Sequence, residues 1–298
     1  MRFNVSKLIS TMALAALASG AQAALVYSLA SNGGSLIRFD SSSPGIVTTL
    51  GSISGAIGRL HGLDFRPADG LLYGYEANTS GIYRVNVNTG VTTLVSTSTI
   101  PVGTSSLGID FNPTVDRLRI VTSADENRRI NVATGVAIAD GALAYAAGDV
   151  NAGSNPRILD AAYLNSDSNA ATGTQLYYID SFQDALITTS NPNAGTLNTV
   201  GSLGVNTSDF LGFDIFTDLV GINTAYASLR VAGVDGLYTI NLATGAATLV
   251  GAIGAGQLFG LAVAPAAAIP EPGSLALLGA AGLAAFGLRR RDKVKTGR

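Results

Sequence analysis

A short apolar segment closing on an aspartate recurs along this chain. His61-Gly62-Leu63-Asp64-Phe65-Arg66-Pro67 returns as Leu107-Gly108-Ile109-Asp110-Phe111-Asn112-Pro113. Weaker copies are Ile158-Leu159-Asp160-Ala161-Ala162, Leu211-Gly212-Phe213-Asp214-Ile215 and Phe259-Gly260-Leu261-Ala262-Val263. A second motif, Asn-x-x-Thr-Gly, returns at Asn86–Gly90, Asn131–Gly135 and Asn241–Gly245. Asparagine accepts from the backbone two residues on and glycine takes positive φ, which is the chemistry of a tight hairpin. Runs such as Ile82–Val85 and Val91–Val95 flank these turns, rich in the Val, Ile, Thr and Tyr that strands favour. No amphipathic helix is evident between residues 25 and 265.

A repeat of roughly 46–54 residues has room for four short strands, the blade of a β-propeller. Strands are expected at Leu71–Tyr75, Leu118–Thr122, Gln175–Ile179 and Val220–Thr224, each following an aspartate segment. The ends complete the count. Leu25–Ala30, Ser35–Phe39 and Ile46–Leu50 read as a blade lacking its innermost strand, and Gln257–Val263 reads as an innermost strand lacking its blade. Paired, they make a fifth blade that closes the ring and removes its open edges. The expected fold is therefore all-β, a propeller of five blades of four antiparallel strands, with the C-terminal strand joined to the N-terminal ones. Six blades follow if Gly141–Arg157 hides further strands, and a β-sandwich is the more distant alternative.

Both ends of the chain differ from this body. Arg2 and Lys7 precede an apolar run, Leu8–Ala18, and the small residues Ala21 and Ala23 frame a cleavage site, the pattern of a helical signal peptide over residues 1–23. At the other end, Pro270-Glu271-Pro272 precedes an apolar stretch, Gly273–Leu288, and then Arg289, Arg290 and Arg291. That stretch is shorter than the ~20 residues that cross a bilayer untilted, and arginines after it stay on the cytoplasmic side. The domain thus spans 24–265, and 266–298 is a spacer and a C-terminal transmembrane tail.

The order Pro-Glu-Pro, apolar segment, arginine cluster resembles the PEP-CTERM sorting signal of Gram-negative bacteria, with Ile269 where valine is usual. The resemblance covers about residues 269–291. It implies a transient hold in the inner membrane, processing by an exosortase, and delivery to the envelope or the extracellular polysaccharide matrix. Asp116-Arg117-Leu118-Arg119-Ile120-Val121, the Asn-x-x-Thr-Gly turns and the Gly-Leu-Ala-Val ending are similar to an uncharacterised bacterial domain family found in exported proteins. That similarity implies a propeller-like body and carries no known activity.

Between residues 24 and 265 the basic residues are ten arginines and no lysine, against 18 acids, a formal charge near −8. Nucleic acid is excluded as a partner on that balance, since phosphate binding rests on clustered Lys and Arg. The chain has no cysteine and one histidine, His61, which removes disulfides, thiolate chemistry and the usual zinc donor sets. No nucleophile elbow accompanies His61, so a Ser-His-Asp triad has no support.

Three features remain as candidate sites. Asp64, Asp110, Asp160 and Asp214 occupy one position in four successive innermost strands, Ala262 taking the fifth. They converge on a hard cation such as Ca2+, or they bond backbone amides of neighbouring blades. Asp149-x-Asn151-x-Gly153 has the opening spacing of a calcium loop but no following glutamate, which favours a solvated turn. Arg117, Arg119, Arg128 and Arg129 either bind an anionic ligand or pair with nearby Asp and Glu. The expected function is a non-enzymatic binding or structural module, whose partners are the exosortase and an extracellular polysaccharide or envelope protein. The alternative is a channel-centred hydrolase or lyase using a metal held by the four aspartates.

Overall fold

The computed structural model describes residues 23–30, 32–103 and 106–266. The signal segment through Gln22 and the sorting tail, including Pro270, Glu271, Pro272 and Arg289–Arg291, lie outside the described residues. No helix among the described residues is long and apolar enough to cross a membrane.

The chain folds into five sheets arranged as a ring. The first blade starts with β1 (Leu25–Ala30), β2 (Ser35–Asp40) and β3 (Thr48–Ser52). The second contains β4 (Gly62–Arg66), β5 (Leu71–Glu76), β6 (Gly81–Val85) and β7 (Thr92–Thr97). The third contains β8 (Leu107–Asn112), β9 (Arg117–Thr122), β10 (Asn127–Ile130) and β11 (Ala137–Ala139). A two-residue strand, β12 (Ala144–Tyr145), precedes β13 (Ile158–Tyr163), β14 (Leu176–Asp180), β15 (Ala185–Thr189) and β16 (Thr196–Ser202) of the fourth. The fifth is β17 (Thr207–Thr217), β18 (Asn223–Val231), β19 (Val234–Ile240) and β20 (Ala247–Ala252). The last strand, β21 (Phe259–Val263), pairs antiparallel with β1, and the bond from Ala264 N to Leu25 O (2.8 Å) extends the seam. The ring closes as the sequence predicts.

The segment 141–157 holds no sixth blade. Its strand β12 adds to the outer edge of the fourth blade, parallel to β16. The strand expected at Val220–Thr224 begins later, at Asn223. Asp218 accepts bonds from the amides of Val220 (2.9 Å) and Ile222 (2.8 Å), which turns an apolar run into a hairpin tip with Leu219, Val220 and Ile222 exposed.

β4, β8, β13, β17 and β21 stand side by side around the axis. In β4, β8, β17 and β21 a glycine stands two residues ahead of the aspartate position, Ile158 taking that place in β13, and it permits close approach. A Cβ on Gly108 would lie 2.3 Å from Asp160 Cα, and one on Gly212 would lie 2.4 Å from the carbonyl carbon of Gly260. Apolar cores fill each gap between neighbouring blades. Tyr73, Tyr75 and Ile82 of the second blade, for example, meet Ile109, Phe111 and Ile120 of the third. Phe111 is fully buried and packs edge-on against Tyr73 at 5.4 Å; burial of such a side chain is worth about 1.5–3 kcal/mol.

Turns tie the blades together further out. In the three Asn-x-x-Thr-Gly hairpins, the side chains of Asn86, Asn131 and Asn241 accept the amides of Asn88 (2.9 Å), Ala133 (3.0 Å) and Ala243 (2.9 Å). Gly90, Gly135 and Gly245 close them at φ of 74°, 73° and 84°. Each turn abuts the outer strand of the preceding blade: Thr99 N donates to Gly135 O (2.9 Å), and Ala247 N returns to Leu203 O (2.9 Å). Asn191–Gly195 fills the same place between the third and fourth blades, with Ala144 N donating to Gly195 O at 2.9 Å.

Candidate functional site

Because side chains alternate along a strand, the aspartate position of each inner strand faces the same way. Asp64, Asp110, Asp160 and Asp214 are all 3–4% exposed. Three of them bond to the next blade: Asp64 Oδ2 accepts Phe111 N (2.8 Å), Asp160 Oδ2 accepts Phe213 N (2.9 Å) and Asp214 Oδ2 accepts Val263 N (2.6 Å). Asp160 and Asp214 also accept the amides of Ala161 (3.0 Å) and Ile215 (2.6 Å) through Oδ1. These bonds form a girdle that links inner strands around the axis, interrupted after Asp110 and where Ala262 replaces the fifth aspartate.

The carboxylates also converge. One oxygen from each of Asp64, Asp110 and Asp214 lies within 4.8 Å of the other two. Asp160 belongs to the same ring and stands outside that triad; both its oxygens accept amides, as do those of Asp214. Asp110 Oδ1 is buried without a partner. Burial pushes all four carboxyls up. Repulsion from Asp214 adds to this at Asp64, and repulsion from Asp64, Asp214 and Asp160 adds to it at Asp110. Asp214 is pushed up to about 7 by burial, against the opposing pull of the Val263 and Ile215 amides. The two readings of the aspartate repeat are thus compatible, since the same groups bond amides and gather into an all-oxygen cluster.

The other candidates are placed differently. Asp149 bonds the amides of Asn151 (2.8 Å) and Thr199 (2.6 Å), and Asn151 Nδ2 donates to Thr199 Oγ1 (2.9 Å), so that loop is a turn pinned to β16. Arg119 is buried and donates to Tyr163 Oη (2.7 Å), Asn193 Oδ1 (2.9 Å) and Asp140 Oδ2 (3.1 Å), joining the third blade to the fourth. Arg129 holds Asp140 with two bonds (2.7 and 2.9 Å), and Arg128 pairs with Glu126 at 3.0 Å. Only Arg117 of the four lacks a carboxylate partner among the described residues, its guanidinium resting on the carbonyls of Val115 and Asp116. Arg117, Arg119 and Arg129 line one cavity of about 180 Å3, where Asp140 meets the positive charge of Arg119 and Arg129. The partners that neutralise it lie on neighbouring strands and turns.

Sequence reasoning missed the channel mouth. A small cavity there, about 30 Å3, is lined by Arg59, His61, Ser106, Asp209, Phe259 and apolar residues of the inner strands. Phe259 and Phe210 meet edge-on at 5.4 Å, with Arg59 over the first ring and Arg230 over the second, each at 5.8 Å. His61 accepts Ala77 N at Nδ1 (3.2 Å), and burial with the adjacent Arg59 guanidinium lowers its pKa. Phe259 at the head of the last segment, Phe210 one residue ahead of the fourth and His61 at the head of the first are the signals the sequence offers for this rim.

Residues 35–262 match the family model described as domain of unknown function (DUF4394). Residues 268–291 match the PEP-CTERM protein-sorting motif. No curated protein matches the chain. Among solved structures, a Bacteroides thetaiotaomicron VPI-5482 protein of unknown function is 15% identical with a TM-score of 0.47, over 68% of this chain and 53% of that one. The chain thus spans about half the length of that relative. A nidogen/laminin complex is 13% identical with a TM-score of 0.43, over 81% of this chain and 98% of that one. Neither likeness transfers an activity.

Proposed function

The chain belongs to the DUF4394 family, and from that premise we propose that it is a non-enzymatic binding or structural module of the envelope or extracellular matrix of a Gram-negative bacterium. The PEP-CTERM motif marks it as an exported protein sorted by an exosortase toward the cell envelope or surface. A cleaved signal peptide over residues 1–23 supplies the matching start of that route.

One observation carries the non-enzymatic reading. The four acidic groups best suited to catalysis are 3–4% exposed, and three of them are bonded to backbone amides of the next blade, so a substrate has no access to them. A channel hydrolase or lyase needs them open to solvent. Binding falls instead to the rim, where half-buried Phe210 and Phe259 lie under Arg59 and Arg230. Arginine over aromatic rings suits sugars that carry acid groups, because ring faces stack on sugar and guanidinium pairs with carboxylate. An acidic extracellular polysaccharide is therefore the proposed ligand class.

Co-sedimentation of the purified protein with extracellular polysaccharide from its host tests this. Binding is expected to fall at least tenfold in Arg59→Ala with Phe259→Ala, while melting of the double variant stays cooperative. Retained binding would move the ligand elsewhere. A hydrolytic activity that disappears in Asp64→Asn would overturn the non-enzymatic reading.

A further inference from the structure

We infer that Asp64, Asp110 and Asp214 hold one hard cation of the Ca2+ class on the axis of the ring, where it clamps the second, third and fifth blades together. The inference stands on the inner-ring geometry and is independent of what the rim binds. An oxygen triangle no wider than 4.8 Å on a side has its centre within about 2.8 Å of each corner, close to the roughly 2.3–2.6 Å of Ca2+–oxygen bonds.

The second observation is Asp110 Oδ1. It is buried, it has no hydrogen-bond partner, and its carboxylate is repelled by the other three. A buried acceptor left without a partner is destabilising unless something compensates it. None of the four aspartates takes part in an ion pair among the described residues, although six arginines do so elsewhere. A cluster of buried carboxylates without an arginine is neutralised by protons or by a cation. The donor set distinguishes the kind of ion: three carboxylates with neither His nor Cys suit a hard cation and not zinc or copper.

The position also suits a clamp. The amide girdle joins sequential neighbours, Asp64 to β8, Asp160 to β17 and Asp214 to β21. A single ion bound by Asp64, Asp110 and Asp214 would connect blades across the axis, including across the position where Ala262 leaves the girdle open.

The test is calorimetric titration of the purified exported protein with Ca2+ after stripping with EDTA, with Mg2+ in parallel and melting followed in the same samples. The expected result is about one Ca2+ per chain, a rise in melting temperature on binding, and affinity at least tenfold weaker in Asp110→Asn. Asp64→Asn serves in the same role should Asp110→Asn fail to fold. The proposal is overturned if the stripped wild-type protein neither binds Ca2+ nor changes its melting with either ion, or if both variants bind as tightly as wild type. Elemental analysis of the wild-type protein purified without chelator decides even if neither variant folds. A stoichiometric hard cation supports the clamp, and a cation-free protein that melts as it does in added Ca2+ rejects it.

Discussion

Arg119 carries the densest set of polar contacts of any side chain between the third and fourth blades. Its guanidinium reaches Tyr163, Asn127, Asp140 and Asn193 while 2% exposed. Removing a buried, fully bonded charge leaves its partners unpaired, a loss of about 3–5 kcal/mol. Arg119→Ala is expected to lose that much in urea unfolding, and a loss below about 1 kcal/mol would contradict the assignment. Glu76 gives a pH-dependent counterpart. Burial pushes its carboxyl up, but bonds from Thr79 and Asn78 outweigh burial and hold it below the ordinary glutamate value. The ionised form is the favoured one in the fold, so its contribution is complete above the unfolded-state pKa and disappears as pH falls through the lowered one. Glu76→Gln should therefore unfold more easily than wild type at pH 7, with the gap narrowing as pH drops below about 4. A gap that stays constant with pH would assign Glu76 a purely steric role. At this scale the aspartate repeat was legible in the sequence, because each blade copies it. The bond partners were not, since Asp64 and Phe111 lie 47 residues apart.

Among the elements, the inner strands set how tightly neighbouring blades meet at the axis, and turns set it further out. Gly135 and Gly153 both adopt left-handed φ, 73° and 84°. A Cβ on Gly135 would lie 2.0 Å from Thr97 O of the preceding blade, whereas one on Gly153 meets nothing within 4 Å. Gly153→Ala is expected to cost only the backbone strain, about 1 kcal/mol. Gly135→Ala adds a clash with backbone that cannot rotate away, of the order of 1–3 kcal/mol beyond the strain. Equal losses in thermal melts of the two variants would show that the turn does not seat against the second blade. Three of these turns were readable because they keep Asn-x-x-Thr-Gly. Asn191–Gly195 was not, because Pro192 and Ala194 alter the pattern while Gly195 keeps the left-handed φ of 72°. The Val220–Thr224 strand was misread for a related reason. Its apolar residues satisfy a strand pattern, yet the Asp218 carboxylate captures two amides and makes a turn instead. Two-residue β12 has too little sequence to carry any periodicity.

For the whole molecule the decisive contact is the seam between β1 and β21. Five blades were countable in the sequence because one end lacks an inner strand and the other supplies it. The seam buries Leu258, Leu261 and Val263 in a core with Val26, Ile37 and Phe39, and the pairing runs on through Ala264. A chain ending after Ile269 retains every one of these contacts. It is expected to melt as the full exported protein does and to fail at exosortase-dependent sorting, because it lacks all but the first two residues of the sorting motif, 268–291. A chain ending after Gly256 loses β21. Its first blade then presents β1 as an open edge, the amide partner of Asp214 at Val263 is gone, and the inner ring has four walls around the buried carboxylates. Exposed edges template association, so this shorter chain should lose cooperative melting and aggregate at concentrations where the longer one stays monodisperse by light scattering. If the two truncations melted alike, the ring would be held by blade-to-blade packing alone and the terminal seam would be dispensable. If both failed to fold, residues beyond Ile269 would belong to the folded domain and the sorting tail could not be detached from it.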